Sequence, residues 1–309
     1  MDKNSKISRD SLLYDLIKNK TLYIMILPVT LYFIIFSYWP MYGVQIAFKN
    51  FNAAKGIMGS PWVGFYHFER FFHSYHFVNL IRNTITLSVY QLIASFPAPI
   101  ILALLLNEVT NSKFKRVVQT VTYAPHFLST VVIAGMLTTF LSPRTGIVNH
   151  LIEALGGERI YFMGEPFWFK HVYVWSGVWQ HTGWNAIIYL ATLTSVDQQL
   201  HEAAIIDGAN KIQRIWYINI PTIMPTAIIL LILNLGQVMN VGFEKVFLLQ
   251  NDLNMKSSDV ISTYVYRMGL LGAQYSFSAA VGLFNSVINF ILIIIVNYIS
   301  RKVSEVSLW

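Results

Sequence analysis

The chain has 309 residues, of which 55% are hydrophobic and only 12% charged, and a formal net charge of +7. With a mean hydropathy of +0.50, it carries too much apolar surface for an ordinary soluble domain. It has no cysteine, which excludes disulfides, iron–sulfur clusters and thiol chemistry.

An α-helix needs about 20 predominantly apolar residues to cross roughly 30 Å of hydrocarbon. Six stretches qualify, at 22–40, 82–106, 119–141, 171–194, 222–242 and 279–299, and apart from Arg82 at one margin none contains Asp, Glu, Lys or Arg. The expected fold is all-α, a polytopic membrane protein with six transmembrane helices. The first twenty residues are polar and basic, and no small-residue cleavage pattern follows, so the first span reads as uncleaved. If the N-terminus is cytoplasmic, segments 1–21, 107–118, 195–221 and 300–309 hold twelve of the 22 Lys and Arg residues, and the much longer outer segments hold ten. The higher basic density inside favours cytoplasmic N- and C-termini. The positive charge follows from this distribution and calls for no nucleic-acid partner.

In chain order, "TLYIMILPVTLYFIIFSYWP" ends in Phe36, Tyr38 and Trp39, which suit the headgroup belt. The outer loop 41–81 is aromatic in its second half, "SPWVGFYHFERFF", which suggests packing against the membrane surface or a partner. Span two carries Pro97 and Pro99 and is expected to bend. Span three carries Pro125, and span four is unusually polar, "GVWQHTGWNAIIYL". Between spans four and five, "SVDQQLHEAAIIDGAN" reads as a short helix. Ser195 with Gln198 makes a capping-box pattern, although Asp197 could cap instead. Leu200, Ala203, Ala204 and Asp207 share a face, and Gly208 can end the helix in the left-handed region. A second short helix, "KIQRIWYINI", follows, and Pro221 fits the first turn of span five. The arrangement suits transmission of a displacement from a soluble partner into the bilayer.

The pattern E-A-A, three residues, G, nine residues, I-x-L-P resembles the hallmark of permease subunits of type I ABC importers. Glu202, Ala203, Ala204, Gly208, Ile218 and Pro221 match it in register, and Ile220 replaces the usual leucine. The resemblance implies a five-helix core over 82–299, containing the coupling loop 195–221, with one additional helix at 22–40 in front. "FIIFSYWPMYGVQIAFKNF", "PAPIILALLLNEV" and "FKRVVQTVTYAPHFLSTVV" further resemble the LplB-like branch of the carbohydrate-uptake group, associated with oligosaccharides from complex polysaccharides. It implies that Glu202, Ala203, Ala204 and Gly208, shaped by Asp207 and Pro221, dock into an ATPase. It also implies a bacterial cytoplasmic membrane location, a second permease subunit as heterodimer partner, two cytoplasmic ATPases and an extracytoplasmic solute-binding protein.

No G-x-x-x-x-G-K-[ST] occurs, so ATP and Mg are expected on partner subunits and this chain needs no cofactor of its own. The histidines form no metal-binding spacing, with His67, His73 and His76 expected in an exposed loop, and no catalytic constellation is present. The chain therefore reads as a transport subunit rather than an enzyme. The competing class is an ion-coupled carrier or channel working without an ATPase. Such carriers usually place carboxylates or helix breaks within the membrane, and no span here holds a carboxylate. Candidate path residues are the polar ones inside spans. Ser88, Gln91 and Ser95 share a face of span two. Gln180, His181, Trp184, Asn185 and Tyr189 form two ladders on span four. Asn234, Gln237 and Asn240 fall on one broad face of span five, and Asn285 and Asn289 on span six. Amides and hydroxyls can bind sugar hydroxyls, and they can equally hold helices together.

Overall fold

The computed structural model describes residues 18–304; most of the segment 1–21 and part of the tail 300–309 lie outside the described residues. Twelve helices organise the description. They are α1 Lys20–Phe48, α2 Tyr66–Phe72, α3 Phe77–Asn107, α4 Ser112–Phe127, α5 Thr130–Phe140, α6 Ile147–Ala154, α7 Pro166–Leu193, α8 Gln198–Ile206, α9 Lys211–Leu235, α10 Phe243–Leu249, α11 Ile261–Tyr266 and α12 Tyr275–Ser304. Helices α1, α3, α9 and α12 are long and apolar enough to cross a membrane, and the bent pair α4–α5 makes a fifth if it is one span. The 28 residues of α7 would extend about 42 Å, but its polar side chains keep it out of that apolar set.

Helix α7 is the axis of the bundle, packed against α3, α4 and α9. Leu87, Phe169, Tyr173, Val174 and Val178 form one core with Val241, Val246 and Leu249. Ala103, Leu104, Ala186, Tyr189, Leu193, Ile223 and Ala227 form a second, nearer α8. Gly183 is where α4 crosses α7: a Cβ there would overlap the carbonyl of Thr122. Small residues permit such close backbone approach where packing and hydrogen bonds drive helix association.

Three expectations are corrected. Span 119–141 is not continuous: α4 and α5 meet at 101°. Pro125 supplies no N–H, Leu128 is extended, and the Ser129 hydroxyl caps α5 by accepting from Val132 N–H at 3.3 Å. Span two remains one apolar span, Phe77–Asn107, interrupted by a turn at Phe96 just before Pro97. Span five is displaced toward its own N-terminus, with α9 running from Lys211 to Leu235. Gln237 and Asn240 therefore sit in turns beyond the helix. Asn289 Oδ1 accepts from Met239 N–H at 3.1 Å, in place of a helical carbonyl. Finally, "KIQRIWYINI" is no separate helix. Pro221 lies within continuous α9, just after a π-helical turn, Ile215–Asn219, a local form that relaxes an α-helix at an irregular position.

The aromatic stretch 61–73 packs in part on this chain itself and leaves Trp62, Phe65, Tyr66 and Phe72 exposed. Phe71 is fully buried against Phe77, Tyr264, Phe277 and Phe284. His67, expected exposed, is buried, with Nε2 3.1 Å from the Lys49 carbonyl. Near α6, Arg159 bonds Glu153 at 2.7 Å and holds its carboxyl below the usual range.

Candidate translocation cleft and coupling helix

Two cavities between α3, α7 and α9 share Leu92, Ser95, Asn234 and Gln237, forming one cleft. The part nearer α8, about 440 Å³, is lined by Trp184, Asn185 and Tyr189 of α7 and Leu230 and Leu233 of α9. The part farther from α8, about 200 Å³, is lined by Ser88, Gln91, Tyr173, Asn240 and Gly242. Polar, aromatic and aliphatic groups thus share its walls. Among the described residues, Ser88 Oγ and Gln91 Oε1 are buried without a hydrogen-bond partner. Buried polar atoms are normally satisfied, so these two are exceptions in the wall of the cleft.

Of the sequence-derived path residues, the structure brings together Gln91, Trp184, Asn185, Tyr189, Asn234, Gln237 and Asn240. It does not bring in the other four as lining groups. Gln180 is buried and donates through Nε2 to the Leu128 carbonyl at 3.1 Å, fastening the α4–α5 bend to α7. His181 Nδ1 lies 3.2 Å from His126 Nδ1, and His126 in turn stacks on Trp184 at 4.5 Å. Asn285 and Asn289 donate to Asn240 Oδ1 at 2.9 and 3.1 Å, so they position Asn240. Tyr173 and Lys245 escaped the sequence reading. Lys245 donates to the Tyr173 carbonyl at 3.0 Å and lies 5.1 Å from that ring's centroid. A signal existed in the sequence: Gly242, Lys245 and Leu249 are spaced three and four apart, one helical face.

At the far end of α7, α8 projects from the bundle. Asp197, rather than Ser195, caps it, accepting from Gln199 N–H at 2.9 Å. Ser195 instead donates to the Thr192 carbonyl at 2.7 Å. Glu202, Ala203, Ile205, Ile206, Asp207 and Gly208 are exposed, Ala204 half-buried. Gly208 has φ +82°, the left-handed conformation that ends the helix. Asn210 and Gln213 then form a reciprocal capping box at the start of α9, with bonds of 2.8 and 2.9 Å. Arg214 reaches Glu108, after the end of α3, at 3.5 Å. No group of His, Asp and Glu among the described residues could hold a metal ion.

Residues 95–305 match the binding-protein-dependent transport system inner membrane components. The sequence is 46% identical to Protein LplB of Bacillus subtilis (strain 168) over 292 residues, 94% of this chain and 92% of that protein. It is 43% identical to the polygalacturonan/rhamnogalacturonan transport system permease protein YteP of the same organism over 304 residues, 98% of this chain and 95% of that protein. A solved bacterial ABC transporter involved in the import of the acidic polysaccharide alginate contains a chain with TM-score 0.89 and 42% identity, over 95% of this chain and 99% of that one. A bacterial alginate ABC transporter in complex with alginate pentasaccharide-bound periplasmic protein contains one with TM-score 0.89 and 41% identity, over 96% and 99% of the two chains. With the loop motif in register and the match spanning nearly the whole length, the chain belongs to the binding-protein-dependent transport system inner membrane components, the membrane permeases of ABC importers, and is not itself an enzyme.

Proposed function

We propose that this chain is one of two permeases that carry an oligosaccharide derived from a complex polysaccharide across a bacterial cytoplasmic membrane. The observation that carries the reading is the cleft, whose amides, hydroxyls and aromatic rings are those that recognise sugars, with buried polar atoms left unpartnered in its wall. The names of the relatives support the substrate class. Both termini and α8 lie on the cytoplasmic side, and the core spans 82–299 with α1 added in front.

One such chain has too few helices to enclose an alternating cavity, so a second permease completes it. Two ATPase subunits bind ATP and Mg, and an extracytoplasmic solute-binding protein delivers the sugar. Glu202, Ala203, Ala204 and Gly208, with Asp207 beside them, form the surface that docks into an ATPase. When the ATPases close, α8 moves with them. The Gly208 turn, the Asn210–Gln213 box and the Arg214–Glu108 pair pass that displacement into α9, in which Pro221 sits. Helix α9 carries Asn234, with Gln237 just beyond, so motion at α8 changes the width of the cleft.

Because the chain has no cysteine, Ala203→Cys offers a unique exposed attachment point. A photocrosslinker placed there, in membranes expressing the whole gene neighbourhood, is expected to capture an ATPase subunit identifiable by mass spectrometry. If the ATPase is present and α8 captures none, the docking role of α8 fails.

A further inference from the structure

Lys245 is a cation without a counter-ion beside the end of the cleft farther from α8, next to the lining residues Tyr173 and Gln91. The ion pairs formed among the described residues are Glu153–Arg159, Glu108–Arg214 and Asp259–Arg267, so no carboxylate oxygen lies within 4.0 Å of Lys245. Its side chain is half-buried, and removing a cation from water without a partner charge is unfavourable. An ammonium has three donors, of which one serves the Tyr173 carbonyl at 3.0 Å.

The neighbourhood shows where the other donors can act. A Cβ on Gly177 would fall 3.1 Å from Gln91 Nε2, 3.2 Å from Gln91 Oε1 and 3.4 Å from Lys245 Nζ. The absent side chain at Gly177 thus lets the ammonium and the Gln91 amide lie together against the α7 backbone. Gln91 and Tyr173 line the cleft, and Gln91 Oε1 is unpartnered. An ammonium, an amide N–H and a free amide oxygen side by side match a carboxylate with a neighbouring hydroxyl.

We propose that Lys245 selects for acidic sugars: it binds the carboxylate of a uronate unit as the oligosaccharide enters the cleft, while Gln91 takes the adjacent hydroxyl. This rests on the oligosaccharide reading above and specifies its charge. A single lysine suits a transport path, because a point charge attracts the carboxylate without the bidentate grip of an arginine.

The test uses vesicles reconstituted with this chain, its partner permease, the ATPases and the binding protein, supplied with ATP. Labelled tetragalacturonate is the acidic probe and a neutral galacto-oligosaccharide of the same length is the comparator. Lys245→Met is expected to lower tetragalacturonate uptake about tenfold. Lys245→Glu lowers it further, and Lys245→Arg restores it to within about twofold. The yield of co-purifying partner permease is expected to stay unchanged. Uptake within about twofold of wild type for Lys245→Met, or equal loss in Lys245→Arg and Lys245→Met, overturns the proposal. Loss of the partner permease on Lys245→Met also overturns it, assigning Lys245 to the subunit interface. If wild type takes up only the neutral comparator, the oligosaccharide reading stands and the role of Lys245 falls. If wild type takes up neither sugar, the oligosaccharide reading itself fails.

Discussion

Helices α1 and α7 invert the usual relation between apolarity and burial. In α1, Leu22, Ile24, Met25, Ile26 and Leu27 are apolar and all exposed, and no residue of Lys20–Phe33 is buried within the chain. In α7, Ser176, Gly177, Gln180 and Gly183 are among the buried residues. In water the apolar helix would be the core. In a bilayer the surrounding medium is as apolar as leucine, so apolarity gives a helix no reason to enter the bundle. Close packing and hydrogen bonds are what draw α7 inward. Hydropathy therefore reports what faces lipid or a second subunit, and polarity within a span reports what faces the interior.

Three substitutions test that contrast. Gly183→Leu should have the largest effect, because any Cβ at Gly183 overlaps the Thr122 carbonyl. The bundle cannot relax around a backbone atom, so a loss of about 3 kcal/mol or more is expected, read as collapse of the yield of monodisperse protein from membranes. Near-wild-type yield and thermal stability would show that the α4–α7 crossing is not tight. Gln180→Leu should be intermediate, costing about 1–2 kcal/mol, since it leaves the Leu128 carbonyl without its donor. A lowered melting midpoint in detergent with assembly retained is the expected result, and a raised midpoint would make Gln180 a path residue rather than a fastening. Leu27→Ala should be smallest, within about 0.5 kcal/mol for this chain purified alone. A marked drop there would break the comparison, whereas a drop only in co-purification of the proposed second permease would sharpen it by assigning α1 to the interface.

The same contrast separates what was legible before folding. Features written in local spacing were readable. The short helix ending at Gly208 depends on a left-handed position that glycine tolerates, and the E-A-A register is contiguous in sequence. Gln91, Trp184, Asn185, Tyr189, Asn234, Gln237 and Asn240 were found because a polar group inside a span needs a reason. The same rule also drew in Gln180, His181, Asn285 and Asn289. Polarity alone does not say whether an amide meets a solute or another helix, and for these four the partner lies 45 to 55 residues away or more in the chain, as in Gln180 to Leu128 and Asn285 to Asn240.

By itself, then, the sequence determined the membrane as solvent, the helical class and the family, because apolar run length and motif spacing are one-dimensional. Tertiary structure decided the 101° break between α4 and α5, the early end of α9 at Leu235 and the placing of Lys245 beside Gln91. Each of these depends on a group from a distant segment replacing a local hydrogen bond or yielding space: Gln180 at the bend, Asn289 beyond α9 and Gly177 beneath Gln91 and Lys245. Such substitutions are invisible to any local window, since what matters is which backbone arrives there after the chain has packed.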